Sequence, residues 1–201
     1  MASVFVSEFV SETRDLLSRL DLDAVDRIVD IVREARDVGG RLFFCGSGGG
    51  AGHASHATCD FRKLAGVETY CVSDNVSELT ARVNDDGWDG SYAAWLTTSR
   101  IGAGDVLFVF SVGGGDANRG ISTNLVAAME CAVARGARVV GVAGRDGGTL
   151  GKLADAAVIV PVGNEQNVTA QVEGLQAVVW HMIVTHPKLC SSTPKWESIK
   201  T

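Results

Sequence analysis

His56 and Asp60 stand four residues apart, and Glu173 and His181 eight apart. On a helix the first pair shares a face one turn apart and the second shares a face two turns apart. Two rows, each with an imidazole and a carboxylate, fit three kinds of chemistry: a four-ligand site for a metal such as zinc, a metal-free acid–base pair, or two unrelated surface pairs. Spacing alone does not choose among them. The other histidines are His53 and His186; His186 precedes Pro187 and reads as a helix-end residue, whose imidazolium would interact well with the helix dipole.

Two glycine-rich turns carry a second kind of chemistry. Gly46-Ser47-Gly48-Gly49-Gly50 and Ser111-Val112-Gly113-Gly114-Gly115-Asp116 each follow a short apolar run and open a helical pattern. Such a turn lets backbone N–H groups approach an anion, and the helix N-terminus adds partial positive charge. Gly46, Gly48 and Ala51, with Asp74 further on, also fit a dinucleotide fingerprint. That form leaves the second turn and the histidine rows unexplained, so no nucleotide cofactor is expected.

The elements that must hold these residues follow from periodicity. Apolar runs at Arg41–Cys45, Glu68–Val72, Val106–Phe110, Arg138–Val142 and Ala156–Val160 lack strict alternation, as parallel strands buried on both faces do. Helical patterns lie between them, including 118–135, where Leu125, Val126, Met129 and Val133 make one stripe. The order predicts an α/β fold, a doubly wound five-stranded parallel sheet, with ligands beyond the strand C-termini. Two helices precede the sheet, about Val4–Leu20 and Leu22–Val38, with stripes Phe5, Phe9, Leu16 and Val25, Ile28, Val32 that need a partner surface. The 201 residues suit one domain: a helical pair over 1–40 for packing or oligomerisation, a core over 41–187, and a tail over 188–201 with Trp196 as an anchor.

Bulk properties narrow the partners. A net charge of −6 without a basic cluster gives no footprint for nucleic acid or for an anionic membrane. No stretch has the length and purity of a membrane span, and the start, with Glu8, Glu12 and Asp15, lacks a basic signal-peptide region. A cytoplasmic protein is expected. The five cysteines have no CxxC spacing and read as reduced thiols.

Taken in order, the turn Gly46–Gly50, Val72-Ser73-Asp74, Val83-Asn84-Asp85-Asp86-Gly87, Gly104-Asp105-Val106-Leu107 leading to Ser111, Gly141–Gly148 with Arg145-Asp146-Gly147-Gly148, and the closing segment Glu173–His181 resemble the SIS (sugar isomerase) family, in its phosphoheptose isomerase-like branch. The resemblance implies a flavodoxin-like fold and aldose–ketose isomerisation of a phosphorylated seven-carbon sugar through an enediol. It also implies one divalent metal per site, zinc by family habit, and a homotetramer whose sites draw on neighbouring subunits. Carried over by position, it gives His56 to the metal and puts Asp60 where the family has its essential glutamate. His181 becomes the second catalytic histidine, and Glu173 replaces a metal-contacting glutamine. The metal set is then His56, Asp60, Glu173 and His181, with Asp60 and His181 catalytic. Asn84 and Asp85 fall on the sugar-contacting pair, and Ser47, Gly48, Gly49, Gly50, Ser111, Val112, Gly113 and Asp116 on the phosphate turns.

This chain also departs from the family pattern. Several hydroxyl donors of the phosphate turns are missing, Asp60 is one methylene short, and Asp116 puts a carboxylate where a phosphate oxygen is expected. Asp116 reads either as a helix N-cap before Asn118 or as the mark of a changed ligand. A non-catalytic SIS module that binds a sugar phosphate or a protein is the alternative from another functional class.

Overall fold

Five parallel strands, which lie across the sheet in the order Thr69–Cys71, Leu42–Gly46, Val106–Phe110, Arg138–Gly144 and Ala156–Val160, form the centre of the molecule. The structure is a computed structural model and describes residues 3–192. In chain order the elements are α1 (Val4–Ser18), α2 (Leu22–Asp37), β1 (Leu42–Gly46), α3 (Gly49–Ala65), β2 (Thr69–Cys71), α4 (Val76–Asp86), α5 (Ser91–Thr98), β3 (Val106–Phe110), α6 (Thr123–Ala134), β4 (Arg138–Gly144), α7 (Leu150–Leu153), β5 (Ala156–Val160) and α8 (Val168–Thr185). The expected doubly wound α/β sheet is what forms.

β1 and β3 are buried at every residue, which is why their sequences are unbroken apolar runs. One face of the sheet packs Phe44, Phe108, Phe110, Val140 and Val158 against α2, α3 and α8. The other packs Phe43, Leu107, Val109 and Val139 against α5 and α6. At the strand N-termini, Asp105 accepts from the Arg41 backbone N–H at 2.9 Å and from the Arg41 guanidinium at 2.7 and 3.1 Å. It also accepts from the Gly102 N–H at 3.0 Å. The Gly104-Asp105 segment thus clamps β1 to β3 at the end of the sheet away from both glycine turns.

The strand order reverses between β1 and β3, and the register pairs Gly46 with Phe110. Both glycine turns therefore leave neighbouring strands side by side. Gly46 is needed for close approach: a Cβ there would strike the Gly50 backbone, and one at Gly50 would strike the Phe110 carbonyl. Gly114, at φ +75°, would drive a Cβ into the Gly147 carbonyl.

Three expectations are corrected. The helix expected from Asn118 begins at Thr123, because residues 116–121 close a small hairpin through mutual Asp116 and Ile121 backbone bonds of 2.9 Å. Asp116 is therefore not the helix cap; its carboxylate accepts from the Arg119 N–H within that hairpin. Val133 of the expected stripe is exposed. Of the two leading helices, α2 buries six residues, whereas α1 buries only Leu16 and leaves Val4, Phe5, Val6 and Val10 exposed. Trp196 lies outside the described residues.

Candidate functional site

α3 and α8 pack against each other, and their facing rows bring three of the expected side chains together. Asp60 Oδ2 is 3.7 Å from His56 Nε2 and 4.0 Å from His181 Nε2. Asp60 is the most shielded of the three, with 21% of its side chain exposed. His181 Nδ1 lies 2.7 Å from the Ala177 carbonyl, which can only accept, so Nδ1 carries a proton and Nε2 is the nitrogen that faces Asp60. The fully buried Trp180 stacks on His181 and meets His56 edge-on, which fixes both rings.

Two imidazoles and a carboxylate suit zinc, whose tetrahedral bonds of about 2.0–2.1 Å place donors about 3.3 Å apart. The two pairs that include Asp60 need under about 1 Å of closure to reach that spacing and all three donors lie within 4.8 Å of one another, so the set fits a three-ligand site with an open position. The Ala177 bond is the kind of support that orients a ligating histidine.

Glu173 is outside this group. Its carboxyl carbon lies 2.5 Å from where a Cβ on Gly49 would stand, which places the carboxylate over the start of α3. The same helical row thus serves two places: Glu173 meets the first glycine turn and His181 meets Asp60. His53 lies between them on α3. Burial pushes its imidazole below the usual histidine range, partly offset by Glu173.

The glycine turns border a cavity of about 550 Å³ lined by Ser47, Ser111, Val112, Gly113 and Asp116 among others. The N–H groups of Gly48, Gly49, Val112, Gly113 and Gly115 take no acceptor among the described residues. Gly50 is buried beneath the turn rather than on the cavity wall. The Tyr92 hydroxyl donates to the Gly46 carbonyl at 2.9 Å, and burial pushes its ionisation up to about 12. Gln176, fully buried on α8, donates to the carbonyls of Ser111 and Val142 at 3.0 and 3.2 Å.

Asn84 and Asp85 sit at the end of α4, exposed and bonded to each other at 2.8 Å; neither lines the cavity. His186 caps α8 and accepts from the Lys188 N–H, the helix-end place its position before proline suggested. Tyr92, Asn124 and Gln176 were not visible as site residues in the sequence. Their contacts span 46, 77 and 65 positions, and no local pattern marks such pairs.

Comparisons with known proteins place the fold in a family. The SIS domain family matches residues 8–144. The phosphoheptose isomerase of Mycobacterium bovis (strain BCG / Pasteur 1173P2) is 30% identical over 199 residues, covering 96% of this chain and 95% of that protein. The lincomycin biosynthesis protein LmbN of Streptomyces lincolnensis is 35% identical over 188 residues; the match covers 89% of this chain and 66% of LmbN, about two thirds of its length. Among solved structures, phosphoheptose isomerase GmhA from Neisseria gonorrhoeae superposes with a TM-score of 0.77 at 23% identity, covering 90% of this chain and 92% of that one. With the order of its strands, its paired glycine turns and these matches, the chain belongs to the SIS domain family and falls in its phosphoheptose isomerase-like branch of isomerase enzymes.

Proposed function

We propose that this protein interconverts the ketose and aldose forms of a phosphorylated seven-carbon sugar, of the sedoheptulose 7-phosphate type, through an enediol. The observation that carries this reading is Asp60 held between His56 and His181 on helices that also border two anion-ready turns. The phosphate end would sit on the free N–H groups of the turns, and the carbonyl end would reach toward Asp60.

Asp60 removes the proton from C1 of the ketose and returns it to C2. His181, as the neutral tautomer whose Nδ1–H is held by Ala177, accepts the O1 proton at Nε2 and, once charged, delivers one to O2. Water and C–H bonds are unchanged in number, as an isomerisation requires. A divalent ion, zinc by donor type, would be held by His56, Asp60 and His181, with Glu173 within the same helical row, and would supply polarisation of the carbonyl. Asp60 serving as ligand is a weaker base, which makes the metal dependence of the rate informative. Asn84 and Asp85 do not line the cavity of their own chain, so we assign them to a neighbouring subunit's site in a homotetramer. The ligand is a small sugar phosphate, and the protein works in the cytoplasm.

The test is incubation with sedoheptulose 7-phosphate and zinc in heavy water, with NMR of the C1 and C2 protons. Deuterium at those carbons and an aldose product are expected, with Asp60→Asn slower by roughly 10²–10⁴-fold. Saturable binding without exchange would instead identify a non-catalytic SIS module. Neither binding nor exchange would point to a different sugar, as the short supply of hydroxyls in the second turn suggests.

A further inference from the structure

The cavity beside the second glycine turn has a wall that this isomerisation leaves unassigned. Its inner side is set to donate. Asn124, fully buried, donates to Ser47 Oγ at 3.3 Å, and the Gly114 N–H donates to Ser111 Oγ at 3.0 Å. Ser111 Oγ is engaged as an acceptor and keeps its own proton for a ligand, whereas Ser47 Oγ is shared between Asn124 and the Tyr92 hydroxyl. The Ser111 hydroxyl and the free turn amides call for a group rich in acceptor oxygens.

The facing wall carries Arg119, Arg145 and Lys152, together with Asp116, Asp146 and Glu130. Two of these carboxylates are occupied locally: Asp116 by the Arg119 N–H at 3.2 Å and Asp146 by the Gly148 N–H at 3.1 Å. Glu130 is exposed on α6. Arg145 is the cation placed against the turn, its Cδ 4.0 Å from where a Cβ on Gly113 would stand. Among the described residues its only side-chain partner is Glu165 at 3.3 Å, in a pair whose side chains are 49% and 72% exposed. So open an ion pair gives way readily to a better anion. Arg145 also holds φ at +57°, a backbone conformation that costs an L-residue and needs a reason.

We infer that Arg145 binds the ligand's phosphate in this cavity, with its guanidinium supplying the donors that the hydroxyl-poor second turn lacks. The inference rests on the sugar-phosphate reading for the identity of the ligand, but not for the presence of the anion site. A guanidinium meets phosphate oxygens in bidentate fashion, which neutral hydroxyl ends of a sugar do not reward equally.

The test titrates inorganic phosphate into the zinc-loaded protein by calorimetry, alongside steady-state kinetics with sedoheptulose 7-phosphate. Arg145→Gln and Arg145→Gly should each weaken phosphate binding by about 10-fold or more, and Arg145→Lys by about threefold. The glycine variant also relieves the backbone, so it guards against a folding defect. With the sugar phosphate, the same variants should raise KM far more than they lower kcat. Phosphate binding within about twofold of wild type in both Arg145→Gln and Arg145→Gly, or no phosphate uptake by the wild type, would overturn the inference. Arg145-dependent phosphate binding without any turnover would retain it and remove the isomerase reading; turnover with KM unchanged in Arg145→Gln would do the reverse.

Discussion

His181 donates Nδ1–H to the Ala177 carbonyl, and this one bond decides which nitrogen faces Asp60. Helical spacing made its row with Glu173, and the row of His56 with Asp60, legible one helix at a time, whereas only the family resemblance implied that the two rows meet. Glu173, on the same row, was legible as a neighbour of His181 but not as a separate contact, because spacing along one helix says nothing about what the facing helix offers at each turn. Gly49 offers an open helix start at that level. Tyr92 shows the other limit, since its bond to Gly46 has no sequence signature. Replacing it by Phe removes a buried hydrogen bond and should cost about 1 kcal/mol in urea denaturation while loosening the first turn. The sign of its pH effect follows from the raised ionisation to about 12: the unfolded chain loses the phenolic proton first, near pH 10, so stability present below that value falls as pH rises through it. Tyr92→Phe should abolish that alkaline component, measured by melting between pH 8 and about 11.

At the level of elements, the strands were readable because burial on both faces leaves uninterrupted apolar runs, and the helix stripes because one face is dry. The start of α6 was misread because Asp116, a good helix cap by type, is captured by Arg119 in a hairpin whose closure depends on a backbone pairing with Ile121. The Gly104-Asp105 segment resembled a family motif, and its role is mechanical. Asp105 is nearly fully buried and takes four hydrogen bonds from Arg41 and Gly102. Asp105→Ala should therefore cost roughly 3–5 kcal/mol, the range for breaking a buried ion pair, and denaturation would show it. Metal affinity of any folded fraction should be unchanged, because the clamp lies at the opposite end of the strands. Gly114→Ala acts at the near end: its Cβ meets the Gly147 backbone, so phosphate binding should be lost more steeply than stability, by paired calorimetry and melting.

For the whole molecule, α1 is the conspicuous unfinished surface. Glu12 ties it down by accepting from the side-chain amides of Asn164, Asn167 and Gln171, which hold its carboxyl below the usual range. Yet Val4, Phe5, Val6 and Val10 stay exposed, and the Phe5 ring leans at a tilt toward Phe9. A stripe so anchored and so bare fits burial against another copy. Light scattering should show an oligomer, and Phe5→Glu with Val10→Glu should yield smaller species with weakened turnover. An unaltered mass would show that α1 is not the contact. This level was least legible in the sequence, since apolar periodicity shows that a face needs cover without showing what covers it.

Gln176 bridges Ser111 and Val142 from the middle of α8, between Glu173 and His181 along that helix. One rigid helix therefore joins the second glycine turn, through Gln176, to the imidazole that meets Asp60. Occupancy by inorganic phosphate should slow amide hydrogen exchange along α8 as far as His181, and Gln176→Leu should confine that protection to the turn.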